Sequence, residues 1–78
     1  MIVKDAKDVA RQWVIEEDSK IPGFYGAFYH GSINWLLDTE ILPATSDVDV
    51  MIVLDDPNPP DKLGKFIYRD VMLEVSYE

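Results

Sequence analysis

Apolar residues recur at helical spacing in the first quarter of the chain and at alternating, strand-like spacing towards its end. Ala6, Val9, Ala10, Trp13 and Val14 form one stripe, with Lys4, Lys7, Asp8, Arg11 and Glu16-Glu17 mostly outside it. This spacing predicts an amphipathic helix from about Lys4 to Ser19. Ile21-Pro22-Gly23 breaks the period and predicts a connection. Phe24–His30 is short and aromatic, as suits a strand; Gly31-Ser32 ends it, and Ile33–Leu37 is expected to open a short helix. Asp38–Thr45 contains Pro43 and predicts a loop.

Val48–Leu54 is almost continuously apolar after Asp47, interrupted by Asp49. That pattern predicts a central strand covered on much of both faces. In Asp55–Asp61 the three prolines forbid ladder hydrogen bonds and predict a solvated loop. Lys65–Tyr68 and Val71–Tyr77 then read as two strands. The Arg69-Asp70 link is short enough for a hairpin but lacks the favoured Asn-Gly chemistry. The whole order predicts a single α+β domain over residues 1–78. It comprises a small mixed β-sheet of about four strands, an N-terminal helix and a short helix after the Gly-Ser turn.

Seventy-eight residues lie near the size at which one hydrophobic core is only just sufficient. The 47% apolar fraction, with three Phe, two Trp and four Tyr, argues against disorder. Without cysteine there is neither a disulfide nor a thiolate metal site, a composition that fits a reducing cytoplasm. The first residues lack the apolar core of a signal peptide, and no run approaches a membrane span, so no membrane partner is expected. The net charge of −8 and seven dispersed basic residues disfavour a long nucleic acid. A small anion bridged by metal ions is compatible with that charge, because bound cations invert the local electrostatics.

Acid-x-acid pairs are cheap in so acidic a chain: about three are expected by chance, and three occur, at Glu16/Asp18, Asp38/Glu40 and Asp47/Asp49. The last alone begins a buried-looking strand. The pleat puts Asp47 and Asp49 on one side and Val48, Val50 and Ile52 on the other. On the last strand Met72, Glu74 and Ser76 oppose Val71, Leu73, Val75 and Tyr77. A register with Glu74 beside the two aspartates would converge three carboxylates, which protons or hard cations such as Mg²⁺ must relieve. Gly31-Ser32, with a close-approaching backbone and a hydroxyl donor, suits an anionic phosphate.

The ordered set Gly31-Ser32, then Ser46-Asp47-Val48-Asp49 with its apolar run, then Leu73-Glu74-Val75 resembles the nucleotidyltransferase superfamily of polymerase beta and the kanamycin and lincosamide nucleotidyltransferases. The resemblance covers roughly Phe24 to Glu78. It implies transfer of a nucleoside monophosphate from a nucleoside triphosphate such as ATP to a hydroxyl of a small molecule or protein, with pyrophosphate leaving. It implies that Asp47 and Asp49 hold Mg²⁺, two ions by analogy, and that Glu74 is a further ligand or the base. Gly31, Ser32 and Ser46 would lie on the nucleotide side. Two features depart from the pattern: Ile33-Asn34-Trp35 stands where many relatives carry an arginine, and the interval from Ser32 to Asp47 is a few residues longer than in compact members, leaving room for a loop insertion around Asp38–Thr45. Longer relatives continue past the third acid, so the resemblance implies a domain incomplete at its C-terminus, either a fragment or a module completed by a partner.

The alternative is a non-catalytic or truncated domain of that fold acting by association, with an open sheet edge after Tyr77 inviting homodimerisation or a missing strand. His30 is read as a strand-end histidine held by local hydrogen bonds rather than an acid or base. Trp13 and Trp35 are read as packing residues, Lys65 and Arg69 as solvated hairpin charges, and Asp55-Asp56 as a solvated turn.

Overall fold

The computed structural model describes residues 1–43 and 46–78; Ala44 and Thr45, within the predicted loop, and the Ser32 side chain, in the predicted phosphate-binding turn, lie outside the described residues. Helix α1 spans Val3–Glu17, and Val3, Ala6, Ala10 and Trp13 form its buried stripe. No side chain caps its N-terminus. Instead the N–H groups of Val3 and Lys4 donate to the carbonyls of Glu40 and Asp38, at 2.8 and 2.9 Å. The loop thereby satisfies donors that have no partner within the helix.

Four strands follow: β1 (Phe24–His30), β2 (Val48–Leu54), β3 (Gly64–Tyr68) and β4 (Val71–Tyr77). Their spatial order is β1-β2-β4-β3, with β2 and β4 parallel and the other two pairings antiparallel. The sheet is thus mixed and the domain α+β, as the order of elements predicts. The short helix is a 3₁₀ turn, Gly31–Trp35, that includes the Gly-Ser pair instead of following it. Arg69 and Asp70 both take positive φ, 48° and 66°, which a two-residue hairpin turn of the favoured twist demands at its two central positions.

Val48, Val50, Ile52 and Leu54 of β2 and Val71, Leu73 and Val75 of β4 bury themselves with the α1 stripe and Ile33 in one cluster. Trp13 packs on Phe66, ring centroids 5.3 Å apart. Two expectations are corrected. The second face of β2 is only half-buried, alternating strictly with the core face, because one long helix can cover one face of the sheet. Nor is β4 an open edge after Tyr77. It lies between β2 and β3, and Glu78 continues the pairing, its N–H donating to Ile52 (2.7 Å) and its carbonyl accepting from Leu54 (2.8 Å). Among the described residues the sheet's free edges are β1 and β3.

Candidate functional site

The strand registers assemble a row of titratable residues across the half-covered face. His30 stands opposite Asp49, Asp49 opposite Glu74, and Glu74 opposite Lys65. Facing residues on adjacent strands share a side of the sheet, so these four project together. Asp47, one residue before β2, points the same way by the two-residue pleat. Asp47, Asp49 and Glu74, each half-buried, offer carboxylate oxygens that all lie within 4.8 Å of one another. The three acids singled out from the sequence are therefore brought together by the fold.

Gly31 closes one wall. Its φ is +80°, and a Cβ built there would lie 2.5 Å from Asp49 Oδ2. The backbone conformation favours glycine, and a side chain here would have to displace the Asp49 carboxylate. Asp49 Oδ1 is buried without a hydrogen-bond partner. Burial, foremost, and then the neighbouring Glu74 push the Asp49 carboxyl above its ordinary range; His30 opposes them weakly. An unbonded, buried carboxylate oxygen facing two further acids is a donor set suited to a hard cation.

Two cations reach the cluster from the β3 side. Lys65 Nζ lies 2.9 Å from Asp47 Oδ2, and this contact raises the lysine's proton affinity. Lys62 Nζ lies 3.2 Å from Glu74 Oε1. Lys65 is exposed, as expected of a hairpin charge, but it also pairs with an acid of the site, while the equally exposed Arg69 pairs with Glu16 of α1 at 2.9 Å. The signal for Lys65 was present in the sequence. A two-residue turn at Arg69-Asp70 sets Tyr68 against Val71, and counting outward puts Lys65 against Glu74. Lys62, in the connecting loop, follows no such rule.

Ser46 is half-buried and its N–H donates to the Pro43 carbonyl at 2.9 Å, so its backbone is tied to the loop. His30 is exposed at the end of β1, the strand-end position expected of it, and stands opposite Asp49 in the register. Trp13 is a core residue as expected, but Trp35 is 87% exposed at the end of the 3₁₀ turn, which corrects its reading as a packing residue. Asp55 and Asp56 are exposed, with Asp56 accepting from the Asn58 N–H at 2.9 Å as a solvated turn does. A separate groove of about 510 Å³ runs between α1 and β1, lined by Ala10, Val14, Ala27, Tyr29 and Val50 among others. No helix among the described residues is long and apolar enough to cross a membrane. No family model, curated protein or solved structure matches the chain.

Proposed function

We propose that this chain is a Mg²⁺-dependent nucleotidyltransferase that moves a nucleoside monophosphate from a nucleoside triphosphate, ATP first among them, to a hydroxyl of a small molecule or a protein. The observation that carries the reading is the convergence of Asp47, Asp49 and Glu74 beside Gly31, whose positive φ and missing side chain let the turn lie against Asp49. The chain's net charge of −8 favours such acceptors over a polynucleotide, and the lack of cysteine suits a reducing cytoplasm.

In this reading Asp47 and Asp49 hold the metal, with Glu74 as a further ligand or as the base that takes the acceptor hydroxyl's proton. Divalent ions bound there supply neutralisation of the triphosphate and polarisation of its phosphoryl oxygens. The acceptor oxygen forms its bond to the α-phosphorus as the bond to pyrophosphate breaks. Gly31 would let the backbone of the turn approach phosphate oxygens, and by the resemblance Ser32 and Ser46 would lie on the nucleotide side. Incubation with labelled ATP and Mg²⁺, with and without candidate acceptors, should release pyrophosphate, and Asp49→Asn should abolish the release. Equal release by both proteins would end the proposal.

A second reading is association without catalysis, and β1 favours it. This free edge carries no Lys, Pro or acidic residue, and it exposes Tyr25 by 80% and Phe28 by 47%. Edges without such guards are templates for pairing with another chain.

A further inference from the structure

Three carboxylates and two ammonium groups share one patch, and their pairing is uneven. Lys65 takes Asp47 and Lys62 takes Glu74, while Asp49, innermost and against Gly31, has a buried oxygen that no donor reaches. Both lysine side chains are exposed, by 59% and 64%, whereas Asp47 and Glu74 are only 20% and 23% exposed. The fixed half of each pair is the acid, and the mobile half is the lysine on its flexible stem.

Resting on the metal-site reading above, we infer that Lys62 and Lys65 are built-in counterions which a divalent cation displaces from the acids and which then hold the anionic phosphates that arrive with the metal. The physical argument has two parts. Exposed ion pairs are weak, so a divalent ion coordinated by several oxygens outcompetes a single ammonium for Asp47 Oδ2 and Glu74 Oε1. A displaced lysine remains tethered within reach of the cluster. Mg²⁺ bound by one or two carboxylates usually completes its coordination with water and phosphate oxygens. Those oxygens enter the space beside the two ammonium groups, and each lysine exchanges a carboxylate partner for a phosphate partner. Both cations approach the cluster from the β3 side.

The role predicts effects of opposite sign on two ligands, which a merely structural ion pair would not produce. Calorimetric titration of the full chain with Mn²⁺ alone should show Lys62→Met and Lys65→Met binding the metal several-fold more tightly than wild type, because the competing ammonium is gone. Titration of the Mn²⁺-saturated proteins with the Mn²⁺ complex of an α,β-methylene ATP analogue should show the same variants binding several-fold more weakly. Thermal unfolding checks that both variants are folded; Lys65→Arg, which keeps the charge, should retain nucleotide binding if Lys65→Met has lost its fold. Unchanged affinities, or changes of the same sign, overturn the counterion exchange while leaving the metal site intact. Failure of wild type to bind Mn²⁺ overturns the metal-site reading and this inference with it.

Discussion

Gly31 is the residue at which backbone and site chemistry meet most directly. Alanine there would carry the cost of left-handed backbone, about 1–2 kcal/mol, and its methyl would press on Asp49 Oδ2. Gly31→Ala should therefore lower stability by about 2 kcal/mol or more in urea unfolding and weaken Mn²⁺ binding. Gly64 separates the two effects: it also has positive φ, +98°, but nothing lies within 4 Å of its would-be Cβ. Gly64→Ala should cost only the backbone part and leave metal binding unchanged. Asp49 gives a pH prediction. Its carboxyl is raised in the folded protein above the ordinary 3.8, by burial first, so the folded state binds its proton more tightly than the unfolded chain does. In the metal-free protein its cost to stability is then full above the raised value and fades as pH falls towards 3.8. Asp49→Asn should stabilise the metal-free protein at neutral pH, with the gain shrinking as the solution is acidified, and should abolish Mn²⁺ binding. A gain that grows on acidification would contradict the assignment.

The hairpin between β3 and β4 is the element with the clearest local conflict. Arg69 and Asp70 both adopt left-handed backbone, where glycine or asparagine is preferred. Arg69 is retained by its pair with Glu16, but Asp70 has no such visible return. Asp70→Gly should raise the urea midpoint by about 0.5–1 kcal/mol in stability, since relief of the left-handed cost outweighs the added freedom of the unfolded chain. The positions of α1, β1, β2 and β4 were legible in the sequence to within about two residues, because their periods of 3.6 and 2 are strongly marked. The two faces of β2 and β4 were legible for the same reason. What the hydrophobic pattern of β2 overstated was its cover. Met51 and Val53 are apolar yet only half-buried, since neighbours on their own face shield them and no second helix does.

At the scale of the molecule, a chain this short has a stability of about 4–12 kcal/mol, carried by one layer of helix on one face of the sheet. Ile52 is fully buried at the centre of that layer. Ile52→Ala should cost about 2–5 kcal/mol, read as a lowered urea midpoint in unfolding followed by near-ultraviolet circular dichroism. The unguarded β1 edge bears on assembly. If association runs through it, wild type should show concentration-dependent self-association in sedimentation velocity, and Ala27→Lys, placing a charge on the exposed strand, should restore a monomer. A wild type that stays monomeric at every concentration would exclude this route.

By itself the sequence determined which segments are helix and strand and which side of each strand carries acid. The short Arg69-Asp70 link also carried the signal that Lys65 faces Glu74, although Lys65 reads from the sequence as a solvated hairpin charge. These follow from local periodicity and turn length, which need no knowledge of distant partners. Only the tertiary structure decided that β4 inserts between β2 and β3 and runs parallel to β2, which sets Glu74 beside Asp49. It also decided that Gly31 packs on Asp49, that Lys62 reaches Glu74 and that the acid face is left open. Strand order and register between distant segments arise from long-range pairing and from which face one helix can cover, and an alternating pattern is the same whichever neighbour a strand finds.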